Sequence, residues 1–81
     1  MDRDQIITQI RESIIEVLDI DPDRVTLEAR FAEDLEADSL ALVELVMALE
    51  DRFNIFVPED DLDGVTTVTA AVDMVARHLP A

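Results

Sequence analysis

Few residues in this chain can do covalent chemistry. Cysteine, lysine, tyrosine and tryptophan are absent, and His78 is the only histidine. There is therefore no disulfide framework, no thiolate metal site and no cysteine nucleophile, and little is left for general acid–base or covalent catalysis. Gly64 is the only glycine, which excludes glycine-rich phosphate loops. Ser39 remains, directly after Asp38, where a helix is expected to begin. A serine at a helix start is usually a cap and nothing more. A phosphodiester formed there would nevertheless lie at the positive end of a helix, with free backbone N–H groups nearby.

The elements that place Ser39 can be read from apolar spacing. Ile7, Ile10, Ile14 and Val17, widened by Ile6 and Leu18, predict a first helix from about Arg3 to Leu18. Asp2 and Asp4 suit its positive end, and Asp21-Pro22-Asp23 breaks the pattern. A long connection from about Asp19 to Ala37 follows, with Val25, Leu27, Phe31 and Leu35 as its expected anchors on the core. Connections of that length in so small a domain are often functional. The second helix is expected from Asp38 or Ser39 to near Phe53, capped by Asp38. Pro58-Glu59-Asp60-Asp61 reads as the first turn of a short third helix, with proline at its first position. Thr66 or Thr67 is expected to cap a fourth helix, striped by Val68, Val72, Val75 and Leu79 and ended by Pro80. The expected fold is all-α: a four-helix bundle of three longer helices and one short third helix, in a single domain covering residues 1–81.

Charge is unevenly distributed. The chain carries 20 acidic and 6 basic residues, net −14, and residues 33–63 hold 11 of the carboxylates against one cation, Arg52. Nucleic acid and anionic membranes are repelled by such a surface, while basic protein surfaces are attracted and steered toward it. The N-terminal Met1-Asp2-Arg3-Asp4 lacks the basic start of a signal peptide, and no apolar run nears the ~20 residues of a membrane span. A cytoplasmic monomer that binds neither nucleic acid nor membrane is expected.

The second helix has two apolar stripes. Leu42, Leu45, Leu49 and Phe53, joined by Val46, suffice to face a core. Leu40, Val43 and Met47 form another, rotated away from the first and surrounded by Glu44, Glu50 and Asp51. Periodicity allows two readings: a wide core face between two neighbours, or exposed apolar anchors within an acidic rim, made for docking.

The run Asp34-Leu35-Glu36-Ala37-Asp38-Ser39-Leu40, followed by Val43-Glu44-Leu45-Val46-Met47-Ala48-Leu49-Glu50, resembles the attachment motif and second helix of acyl carrier proteins. The similarity continues through Phe53, Ile55, Pro58-Glu59-Asp60 and Thr66-Thr67-Val68 and covers nearly the whole chain. One departure is Glu36, where many family members have glycine; a side chain there restricts the loop before Ser39.

The resemblance implies that Ser39, beside Asp38, receives a 4'-phosphopantetheine arm from coenzyme A through a magnesium-dependent phosphopantetheinyl transferase. Acyl groups would then ride as thioesters on its thiol to acyltransferases, ketosynthases and other enzymes of fatty-acid or polyketide biosynthesis. It also implies that Glu44, Met47, Glu50 and Asp51 meet basic patches on those partners, with Leu40 and Val43 as apolar contacts. Leu45 and Leu49, facing Val57, Leu62 and Val65 and then Ala71 and Val75, are the expected lining of an acyl-chain pocket. The chain itself would be a carrier and not an enzyme.

Two alternatives are distinct in chemistry. Asp19, Asp21 and Asp23 have the first three spacings of a calcium loop, but Arg24 stands where glycine is needed, Arg30 where the bidentate glutamate is needed, and Pro22 interrupts it. An acidic helical adaptor without a prosthetic group would account for the charge and leave Ser39 without a role.

Overall fold

The computed structural model describes residues 1–79 and is all-helical over them. Helix α1 spans Arg3–Leu18, α2 Ser39–Phe53, α3 Glu59–Leu62 and α4 Val68–His78, with one 3-10 turn at Pro22–Arg24. The helix order and the long α1–α2 connection follow the expectation. Pro80, expected to end the last helix, lies outside the described residues.

The starts of α1, α2 and α4 are each set by a short polar side chain, Asp2, Asp38 and Thr67. Asp2 accepts from the Gln5 N–H while the Gln5 side chain accepts from the Asp2 N–H, which satisfies two otherwise unpaired donors of α1. Thr67 accepts from Ala70 N–H at the head of α4. Asp19 and Asn54 end α1 and α2 in the left-handed region, at φ 52° and 54°, which short polar residues tolerate better than bulky ones. Pro58 precedes α3 as its N-cap, at φ −62° and ψ 150°, and does not occupy the first helical position expected for it. Proline suits both places, because neither requires a backbone donor.

The core forms where the apolar faces meet. Ile10 and Ile14 of α1, Leu45 and Leu49 of α2, and Val68, Val72, Met74 and Val75 of α4 are almost completely buried. Truncating such a leucine to alanine typically costs about 2–5 kcal/mol. The connection between α1 and α2 contributes Val25, Phe31 and Leu35 to the core as expected, and also Ala29 and Ala37. Leu27 departs from expectation: its side chain is exposed. Its carbonyl is used instead, accepting from the Thr69 N–H at 3.0 Å and the Thr69 hydroxyl at 2.7 Å.

That pair belongs to a backbone seam between the connection and the head of α4. Val68 N–H donates to Ala29 O at 3.0 Å, and Phe31 N–H to Thr66 O at 3.0 Å, so that Arg30 and Thr67 form an isolated antiparallel bridge. The long connection is thus held by paired backbone groups, as a half-buried irregular segment requires.

Candidate functional site

Ser39 is the first residue of α2, and its side chain is exposed. Asp38 performs the capping: its carboxylate accepts from the Ala41 N–H at 2.8 Å, and its carbonyl accepts from the Leu42 N–H at 3.0 Å. The Ser39 hydroxyl is therefore not required to start the helix. It lies beside the first backbone N–H groups of a 15-residue helix, where the helix dipole favours negative charge.

The loop ahead of Ser39 is tied to itself. Asp34 N–H and Leu35 N–H both donate to Arg30 O, at 2.8 and 3.1 Å, and Ala37 N–H donates to Phe31 O at 2.8 Å. In return, Arg30 N–H donates to the Asp34 carboxylate at 2.8 Å. That bond, foremost, holds Asp34 below the usual carboxylate range; desolvation by its neighbours opposes it, and the guanidinium groups of Arg30 and Arg24 add to it. Arg30 also pairs with Glu33, and Arg24 donates to Asp34 O at 2.6 Å. Between these ties, Glu36 sits at φ 56°. The position calls for the left-handed conformation that glycine adopts without strain, which explains why a glutamate here is a departure.

A groove of about 350 Å³ opens beside Ser39. Phe31, Ala37, Asp38, Ser39 and Leu42 line it together with Leu62, Val65, Thr66 and Thr67. Of the seven residues expected to shelter an acyl chain, Leu62 and Val65 therefore line an open space adjoining Ser39. Leu45, Leu49, Ala71 and Val75 are fully buried and Val57 nearly so; they belong to the hydrophobic core and do not line the groove.

The second stripe of α2 is exposed. Leu40 is 67%, Met47 59% and Val43 41% exposed, which decides between the two readings of this helix in favour of an uncovered apolar strip. Glu44 and Asp51 are exposed beside it. Glu50 is different: its carboxylate accepts from the Val57 N–H at 2.9 Å, so it fastens the α2–α3 loop as well as contributing charge. Sequence spacing gave no sign of this bond, since it joins a helix to an irregular segment.

Arg52, the single cation of the acidic stretch, also proves to be engaged elsewhere. Its guanidinium reaches Gln9 O at 3.1 Å, Ser13 Oγ at 2.8 Å and Glu12 at 2.9 Å, all on α1. The exposed strip of α2 is left bordered by carboxylates. Asp21 accepts from its neighbour Asp23 N–H at the 3-10 turn, and no group of three His, Asp or Glu suited to a metal ion occurs among the described residues. No helix among the described residues is long and apolar enough to cross a membrane.

Residues 8–75 match the family described as "Phosphopantetheine attachment site". The chain is 48% identical over 81 residues to the acyl carrier protein of Rubrobacter xylanophilus, covering 100% of both chains. It is 39% identical over 79 residues to the acyl carrier protein of Petrotoga mobilis, covering 98% of this chain and 93% of the relative.

Proposed function

Because this chain belongs to the acyl carrier protein family, we propose that it carries acyl groups on a 4'-phosphopantetheine arm joined through a phosphodiester to Ser39. The observation that carries the assignment to Ser39 is the division of labour at the head of α2: Asp38 caps the helix, and the neighbouring hydroxyl stands exposed. The residues present fit such a group. A phosphodiester at Ser39 would face the positive end of α2, and the groove beside it has apolar walls at Phe31, Leu42, Leu62 and Val65. Once attached, the arm supplies the thiol that this cysteine-free chain lacks and holds the acyl group as a thioester.

The roles of the chain's own residues follow. Ser39 Oγ attacks the pyrophosphate of coenzyme A at the phosphorus bearing the pantetheine; its proton passes to a base of the phosphopantetheinyl transferase, and adenosine 3',5'-bisphosphate leaves. Leu40, Val43 and Met47 form the apolar part of a docking face, with Glu44, Glu50 and Asp51 giving it negative charge. Partners are acyltransferases, ketosynthases and other biosynthetic enzymes of fatty-acid or polyketide assembly whose own docking surfaces are basic. Charge complementarity would speed their encounter and fix orientation. In this reading the chain is a carrier, its reactions belong to its partners, and it works as a cytoplasmic monomer.

Incubation with coenzyme A, magnesium and a broad-specificity phosphopantetheinyl transferase tests the assignment by intact mass. The wild-type chain should gain one phosphopantetheine, and Ser39→Ala should gain none while melting at nearly the wild-type temperature. Attachment to the Ser39→Ala chain would refute the proposed site.

A further inference from the structure

Phe56 is the most exposed of the large apolar side chains, at 75%, whereas the other two phenylalanines, Phe31 and Phe53, are buried. A single exposed apolar residue is ordinary. Its setting is less so. The segment between α2 and α3 is irregular, with Val57 buried in the core and Phe56 exposed. Both neighbours of Phe56 are fastened to one residue: Ile55 N–H donates to Glu50 O at 3.1 Å, and Val57 N–H to the Glu50 carboxylate at 2.9 Å. The aromatic ring is thus presented from a fixed backbone.

Glu50 also fixes where the ring is presented. Val43 and Glu50 are seven residues apart, which puts them on the same flank of α2, about 10 Å along its axis. Leu40, Val43 and Met47 occupy the Ser39 end of that exposed surface, and the Glu50-bound segment brings Phe56 to the other end. The surroundings carry the exposed carboxylates of Asp51, Glu59 and Asp60. A second copy of a chain with net charge −14, or an anionic membrane, would be repelled from such a site. A protein with an apolar pocket flanked by arginine or lysine would be attracted to it.

We propose that Phe56 is a second apolar anchor of the docking face, filling a cation-rimmed pocket on partner enzymes and fixing the carrier's orientation about α2. A partner held only at the Ser39 end could pivot around that contact; a rigid aromatic at the far end removes the freedom. Aromatic side chains, phenylalanine included, are enriched in protein interfaces relative to the rest of the surface.

The inference rests on the carrier reading, which intact-mass measurement of Ser39 loading tests separately. Holo wild type, Phe56→Ser and Phe56→Leu should be compared as substrates of an acyltransferase and a ketosynthase from the same organism, and the apo forms as substrates of its phosphopantetheinyl transferase. With at least one of these enzymes, KM should rise ~10-fold for Phe56→Ser, with kcat nearly unchanged and much of the loss restored in Phe56→Leu. Melting temperatures should match wild type. Unchanged KM with all three enzymes would overturn the proposal. So would sedimentation showing a concentration-dependent dimer that Phe56→Ser abolishes, since the ring would then serve a second copy.

Discussion

The Arg52 guanidinium donates to the Ser13 hydroxyl at 2.8 Å, joining the last turn of α2 to the middle of α1. Ser13 is the one buried polar side chain among the described residues. The same guanidinium bonds Gln9 O and Glu12. Arg52→Met should therefore lower stability by about 1–2 kcal/mol, mostly through the lost bond that satisfies the buried Ser13 hydroxyl. The exposed pair with Glu12 adds little. Urea denaturation at low and high salt checks this: the loss should persist in salt, and a loss that vanished there would assign the role to surface charge.

Glu36 offers the opposite case. Its φ of 56° costs a non-glycine residue local strain, and its nearest cation, Arg24, is 3.9 Å away on an exposed surface. Glu36→Gly should raise stability by ~0.5 kcal/mol, and Glu36→Val should lower it, because β-branched residues tolerate the left-handed region poorly. Chemical denaturation of the three chains gives the order directly; a glycine variant less stable than wild type would show that the strain is unimportant.

The loop ahead of Ser39 should respond to acid through Asp34. Its folded-state pKa lies below its ordinary value, chiefly because the Arg30 N–H donates to the charged carboxylate. Such a group contributes stability above its unfolded pKa, near ~3.9, and loses that contribution as pH falls through the lower folded value. Asp34→Asn should be less stable than wild type at neutral pH, with the gap narrowing below pH ~4. A pH titration of melting temperature for both chains measures the gap; a constant difference across that range would be inconsistent with this origin.

The acyl chain gives a fourth prediction. If it enters from the groove by parting Leu62 and Val65 from α2 and reaches the buried Leu45, Leu49, Val57, Ala71 and Val75, each sheltered CH₂ should contribute up to ~0.8 kcal/mol, less the cost of opening close-packed core. Melting temperature should climb from the holo form through butyryl, hexanoyl and octanoyl forms. A flat series, with the chain mobile by NMR, would mean that the cargo stays outside.

Much of this arrangement is legible in the sequence because it is local. The apolar spacing of α1 and α2, the Asp38 cap and the existence of a second stripe at Leu40, Val43 and Met47 follow from helical period and short-range chemistry, but period left open whether that stripe is covered, and its exposure comes from the packing. What period cannot convey is where distant backbone goes. Leu27 looks like a core anchor by hydrophobicity, yet it contributes its carbonyl to Thr69 while Ala29 and Ala37 take buried places. Arg52 and Glu50 look like ordinary members of a charged surface, but one spans to α1 and the other captures the α2–α3 loop. Phe56 resembles a core residue by type and is exposed, while its neighbour Val57 takes the buried place.

The seam between the connection and the head of α4 has a consequence for how the chain is made. The Leu27–Thr69 bond spans 42 positions, and the Ala29–Val68 and Phe31–Thr66 bonds are similarly distant in sequence. While these later residues are still inside the ribosomal tunnel, the Leu27 and Ala29 carbonyls and the Phe31 N–H lack their seam partners and pair with water, even if α2 and its serine have already emerged. The nascent chain thus presents Ser39 behind a locally tied loop whose upstream connection is not yet fastened to α4, and the proposed attachment surface is complete only once Thr66 to Thr69 have emerged.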